Sequence, residues 1–126
     1  MNPTIIGTIP EGKAIRQGDV FVFNETAKIP DSLKFTEVPN VVLANGSVTG
    51  HKHNVIKQDA TTVIKTATGT RNAFGGDRET TFFTVEGGNA LLVHEEHDHF
   101  LVAPGVYKAI IQEEFDIIEQ MRKVQD

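Results

Sequence analysis

The chain has 126 residues, of which 39% are hydrophobic and 23% charged, enough apolar material for one domain with a buried core. Its net charge of −5 argues against general binding to nucleic acid or anionic membranes, since both need basic surfaces. The absence of cysteine excludes disulfides, thiolate metal ligands and a cysteine nucleophile. We expect a cytoplasmic protein, because the sequence has neither a bilayer-spanning apolar run nor a signal-peptide pattern.

Residues 1–17 carry Pro3, Gly7, Pro10 and Gly12 and show no sustained hydrophobic period. This pattern predicts an extended N-terminal arm over 1–17, followed by a single β domain over 18–126. Such an arm is either a poorly ordered leader or a segment that adds a strand to a neighbouring sheet.

From Val20 onward, short runs of apolar and β-branched residues alternate with turn-forming residues, which favours strands. The predicted strands are 20–23, 41–44, 47–56, 61–66, 80–85, 90–94, 100–103 and 106–112. Asn45-Gly46 predicts a tight type I′ hairpin turn. After Glu113, apolar residues recur every three or four positions, typical of a short C-terminal amphipathic helix. The fold class is therefore mainly β: a small β-barrel or sandwich of about seven to nine short strands with this helix.

All five histidines fall in two short segments, His51 and His53 in the first and His94, His97 and His99 in the second. Residues two apart on a strand point to the same face, so both imidazoles of the first segment are expected on one side. Neutral imidazole is the commonest metal ligand. We predict a metal site formed by His51, His53, His94 and His97, holding a divalent transition metal: zinc first, with nickel, iron or manganese also compatible.

The alternative is that both segments are exposed loops with solvated histidines. The neighbouring Glu95, Glu96 and Asp98 are metal ligands, partners that orient the imidazoles, or surface charge. The pair His94 and His97 does not match a zinc-protease helix, which needs histidines four positions apart. No nucleophile elbow, phosphate loop or acid–base pair is visible, so we nominate no catalytic residue and no other cofactor.

Two resemblances arise at these residues. The His-x-His motif at 51–53 with a later histidine loosely resembles the cupins, which implies a β-barrel with a metal-dependent activity, although Lys57 and Gln58 stand where cupins have a glutamate. A closer resemblance, to small uncharacterised bacterial and phage proteins, extends over most of the chain. It rests on Arg-Gln-Gly-Asp-Val at 16–20, Val-Thr-Gly-His-Lys-His at 48–53, His-Glu-Glu-His at 94–97 and Pro-Gly-Val-Tyr at 104–107.

The second resemblance implies that the two histidine motifs form one unit and that the protein is a virion component. It implies no activity. We therefore expect a non-enzymatic structural subunit with a histidine-rich metal site, such as a phage capsid decoration or cement protein. The partners expected are copies of the same chain or a larger protein assembly, and the location is the host cytoplasm or the virion. The alternatives are a cupin-like small metalloenzyme and a metal-binding or sensing module without chemistry of its own.

Overall fold

The computed structural model describes residues 5–26, 33–45, 52–73 and 76–111, and these residues form strands joined by turns and short connections. The strands are β1 (Ile5–Ile6), β2 (Ala14–Gln17), β3 (Val20–Asn24), β4 (Thr36–Val38), β5 (Asn40–Asn45), β6 (Lys52–Lys57), β7 (Val63–Ala73), β8 (Gly76–Glu86), β9 (Ala90–Val93), β10 (His99–Val102) and β11 (Gly105–Ile111).

The strands form a five-stranded sheet in the order β1-β10-β9-β6-β5 and a six-stranded sheet in the order β2-β3-β11-β8-β7-β4. Neighbouring strands are antiparallel except for β1 and β10, which are parallel. The prediction of a mainly β fold is confirmed, but the described strands do not close into a barrel. There are more strands than the predicted seven to nine, because the short β1, β2 and β4 lack the apolar runs used to identify strands. The predicted C-terminal helix lies outside the described residues.

Part of the segment predicted as an arm takes part in both sheets. Its β1 pairs with β10, and β2 pairs with β3. Between them, Ile9 is almost fully buried in the core. The described residues of this segment therefore make backbone and core contacts within the chain itself.

Two local predictions differ from the structure. Ala44 pairs with His53 and Asn45 with Lys52, so β5 and β6 pair as expected but do not turn at Asn45-Gly46. The connecting residues 46–51 lie outside the described ranges. Between the predicted strands 61–66 and 80–85, β7 continues to Ala73 and β8 already begins at Gly76, and these two strands pair from Val63 with Glu86 to Ala73 with Gly76. Backbone hydrogen bonding over this length outweighs the weak local preference of a Thr- and Gly-containing sequence.

One hydrophobic core is shared by the two sheets. In β3 and β9 buried positions alternate with partly buried ones, as the period of two along a strand requires. The five-stranded sheet contributes Val55 and Leu92, and the six-stranded sheet contributes Phe83 and Tyr107. The described residues contain no helix long and apolar enough to cross a membrane.

Candidate functional site

Three of the predicted ligands come together at one end of this core. His53 lies on β6 at an inward-facing position, two residues before the core residue Val55. His94 directly follows β9, where it continues the inward face of Leu92. The register pairs Val55 with Leu92 and Asn54 with Val93, so the next opposed pair is His53 and His94. Their ring centroids are 4.3 Å apart, and both residues are buried, with 2% and 7% of their surface exposed.

His97 completes this group from the connection between β9 and β10. Its ring centroid lies 4.6 Å from that of His94 and 6.3 Å from that of His53. Its ring is nearly parallel to the ring of His53, with an angle of 10° between the planes. Unlike the other two, His97 is exposed. The three rings thus form a group, called here the histidine cluster, with two buried members and one facing solvent.

The histidine cluster rests against the turn between β2 and β3 of the other sheet. Gln17 pairs with Val20, so Gly18 and Asp19 form a two-residue connection. Gly18 has a φ of 57°, and glycine at the first position of such a connection is typical of a type II′ hairpin. A Cβ on Gly18 would stand 2.7 Å from Nε2 of His97 and 3.1 Å from Cε1 of His53. Glycine is therefore required here both for the turn and for the close approach of two imidazoles.

Both ring nitrogens of His53 face side chains of this turn. Nδ1 lies 2.8 Å from Oε1 of Gln17, and Nε2 lies 2.8 Å from Oδ1 of Asp19. Burial lowers the pKa of His53 below its ordinary value of 6.5, and this effect outweighs the hydrogen bond and charge of Asp19, which raise it. Gln17, itself buried, also donates hydrogen bonds from Nε2 to the carbonyl oxygens of Leu92 and Asp98. Gln17 thereby connects the turn of one sheet to strands of the other.

His94 has a different hydrogen-bonding environment. Its Nδ1 accepts a hydrogen bond of 3.0 Å from the backbone N–H of Glu96. In the neutral ring, Nε2 then carries the proton. To bind a metal through Nε2, the ring has to move this proton to Nδ1, which breaks the hydrogen bond from Glu96. Nε2 lies 4.0 Å from Oε2 of Glu95. Among the histidines, aspartates and glutamates that the structure describes, no group of three is placed to hold a metal ion as it stands.

The remaining residues of the prediction occupy other positions. His51 lies outside the described residues. His99 lies on β10 opposite Ile5, and it lines a surface pocket with a volume of about 370 Å³. The other lining residues of this pocket are Lys52, Asn54, Val93, His94 and Glu95. The exposed Glu95 also accepts a hydrogen bond of 3.4 Å from the backbone N–H of Lys52.

Sequence reasoning did not identify Gln17, Gly18 and Asp19 as parts of the site. A usable signal was present, because a Gly-x pair between two short strand-forming runs indicates a two-residue hairpin. Because the segment before it is predicted to be an arm, the sequence pattern does not predict a hairpin at this position. Its proximity to the histidine cluster follows only from the packing of the two sheets.

Comparison with known proteins identifies a family without a described activity. A family model described as "Domain of unknown function (DUF8820)" matches residues 16–112. This range is about three quarters of the chain and contains the turn at Gly18 as well as all five histidines. Searches of curated proteins and of solved structures found no significant match.

Proposed function

The chain belongs to this family of unknown function, and we propose from the site itself that the protein is a non-enzymatic structural subunit whose histidine cluster binds a divalent transition metal. The observation that carries the proposal is the convergence of His53, His94 and His97 from separate segments, two of them buried. Zinc is the first candidate, and nickel, iron and manganese are also compatible with imidazole ligands.

The spacing of the rings supports a shared ion. With zinc about 2.0–2.1 Å from each nitrogen, the centroids of two imidazoles bound to one tetrahedral ion are about 5 Å apart. The observed separations of 4.3, 4.6 and 6.3 Å bracket this value. The rings have to rotate before their nitrogens point at one ion. His97 can rotate with the least loss of packing because it is exposed. His51, two residues from His53, is the fourth proposed ligand.

The position of the cluster supports a structural role for the ion. His53 belongs to the five-stranded sheet, whereas Gly18 and Asp19 belong to the hairpin of the six-stranded sheet. An ion held by the histidine cluster connects β6 with the segment between β9 and β10, next to this hairpin, and it stabilises the folded chain because the unfolded chain does not present the same ligands together. At a free metal concentration one hundred times the Kd, the gain is about 2.7 kcal/mol.

We further propose that the subunit works in an assembly, as the resemblance to phage proteins implies for a capsid decoration protein. The edge strands of the five-stranded sheet, β1 and β5, each carry an exposed large apolar residue, Ile5 and Val42. Exposed apolar residues on strand edges favour contacts with another chain. Sedimentation of the purified protein tests self-association, and mass spectrometry of purified phage particles tests its presence in virions.

The metal is tested with full-length protein purified without a histidine tag. We expect elemental analysis to find about one zinc per chain, and chelation to lower the melting temperature. The variant His53→Ala/His97→Ala should lose the zinc, whereas the control His99→Ala, which replaces a histidine outside the histidine cluster, should keep it. A wild-type protein that neither contains nor binds zinc, nickel, iron or manganese contradicts the proposal.

The pocket beside His94 favours one second candidate, a cupin-like small metalloenzyme. This surface pocket of about 370 Å³ places the polar groups of Lys52 and Glu95 next to His94, which belongs to both the pocket and the histidine cluster. An enzyme of this class needs an open coordination position, so manganese-loaded protein should then show fast exchange of bound water. Absence of an exchangeable water would favour the purely structural site.

A further inference from the structure

Resting on the metal-binding function proposed above, we propose that Asp19 is a ligand of the ion and that Gln17 holds His53 as its Nε2 donor. Neither residue belongs to the two histidine motifs. Both come from the hairpin between β2 and β3, so the site would combine ligands from both sheets.

The orientation of the Gln17 amide determines which nitrogen of His53 is available. Nε2 of Gln17 donates to two backbone carbonyl oxygens, at 3.1 Å to Leu92 and 2.8 Å to Asp98, and carbonyl oxygens only accept. Oε1 must therefore face His53, and since it also only accepts, Nδ1 of His53 carries a proton. In the neutral imidazole the lone pair is then on Nε2. This is how an outer partner selects the metal-binding nitrogen of a histidine.

That lone pair points at a carboxylate. Nε2 of His53 and Oδ1 of Asp19 are 2.8 Å apart, and two acceptors at this distance repel unless a proton or a cation lies against both. Two ligands about 2.1 Å from one ion are about 3.0 Å apart at a right angle and about 3.4 Å apart at the tetrahedral angle. For tetrahedral zinc the two atoms therefore have to separate by about 0.6 Å, a shift that the half-exposed side chain of Asp19 can make.

A third donor lies next to this pair. Nε2 of His97 approaches Gly18, the residue that precedes Asp19, to within 2.7 Å of the position of an added Cβ. Asp19 has 55% of its side chain exposed, so the pair is open to solvent at the carboxylate. A metal ion can thus reach His53 from solvent without opening the core. His94, whose Nδ1 accepts from Glu96, lies beside both rings, with its centroid 4.3 Å from that of His53 and 4.6 Å from that of His97.

The test compares carboxylate variants of the full-length chain by zinc titration against a chromophoric chelator. Asp19→Asn keeps the size of the side chain and removes a ligand, and we expect a loss of zinc affinity of about tenfold to a hundredfold or more. Asp19→Glu keeps the carboxylate and should recover part of that loss. Glu95→Gln removes the other nearby carboxylate, and Glu86→Gln removes an exposed charge on β8. Both should stay within about threefold of wild type, the effect expected of a charge outside the ligand set.

Nitrogen NMR of the imidazoles provides a readout that a general loss of stability does not change. On zinc addition, we expect Nδ1 of His53 to remain protonated and Nε2 to take the shift of a metal-bound nitrogen. If Asp19→Asn binds zinc as tightly as wild type, the inference is overturned while the proposed metal function stands. If wild type binds zinc and His53 keeps protons on both nitrogens, the contact with Asp19 is an ion pair and the inference is again overturned. If wild type binds no metal, the proposed function fails first.

Discussion

Comparing Gly18→Ala with Gly12→Ala separates the effect of the close approach to the imidazoles from the effect of the positive φ angle. Gly18 and Gly12 both have a positive φ, of 57° and 76°. A Cβ on Gly18 would be 2.7 Å from Nε2 of His97, whereas a Cβ on Gly12 would meet nothing within 4 Å. Gly12→Ala therefore measures a backbone cost alone, and Gly18→Ala adds displacement of the imidazoles of His97 and His53 to its backbone cost.

The magnitude follows from these two terms. Alanine in the left-handed region costs about 1–2 kcal/mol, partly offset by the smaller conformational entropy of the unfolded chain. For a domain of this size, 1 kcal/mol shifts the melting temperature by about 4 °C. Because His97 is exposed, its ring moves away from an added methyl group at little further cost. In the metal-free state, we expect Gly12→Ala to be destabilised by about 1 kcal/mol and Gly18→Ala by more, because a Cβ on Gly18 also lies 3.1 Å from Cε1 of the buried His53.

The two variants should differ when metal is added. Displacing His97 removes a proposed ligand, so Gly18→Ala should bind zinc about tenfold to a hundredfold more weakly than Gly12→Ala. Thermal unfolding with and without zinc, followed by zinc titration, provides both quantities. Equal zinc affinities would show that the approach of His97 to the turn has no part in metal binding.

Three other predictions use buried polar groups. Thr84 Oγ1 is buried without a hydrogen-bond partner among the described residues, so Thr84→Val should stabilise the fold by about 1 kcal/mol. The control Thr62→Val removes a 2.6 Å hydrogen bond to the carbonyl oxygen of Asn89 and should destabilise the fold. Chemical denaturation measures both changes. Burial raises the pKa of Tyr107 to about 12 from 10.0. The unfolded chain therefore loses this proton first, and the free energy of unfolding should fall by about 2–3 kcal/mol between pH 10 and 12. Tyrosinate absorbance checks this without ambiguity because the chain has one tyrosine, and ionisation near 10 in the folded protein would contradict it. The lowered pKa of His53 makes the free energy of unfolding depend on pH in the opposite direction. Metal-free protein should lose stability as the pH falls below 6.5, because the unfolded chain takes up the proton first. An equal loss of stability in His53→Gln would refute this assignment.

Some of the fold and of the candidate site was predictable because local patterns determine them. The apolar run of β9 indicates a strand in the sequence, and the structure buries its alternate positions Ala90 and Leu92, which places His94 on the inward face. The same period of two places His53 beside Val55 on the core side of β6. The mainly β class follows from many such short runs, each of which needs only its own neighbours to be recognised.

The sequence by itself therefore determined the mainly β class, the shared face of alternate residues along a strand, and the pairing of β5 with β6. Only the tertiary structure decided the register that opposes His53 to His94 and the packing that brings Gln17 and Asp19 of the other sheet to the same imidazole. The physical reason is that side-chain direction depends on local backbone period, whereas contacts between sheets depend on the combined burial of residues far apart in the chain. Gln17 and Asp19, polar residues at the end of a short strand and in a turn, carry no local pattern that reports such a contact.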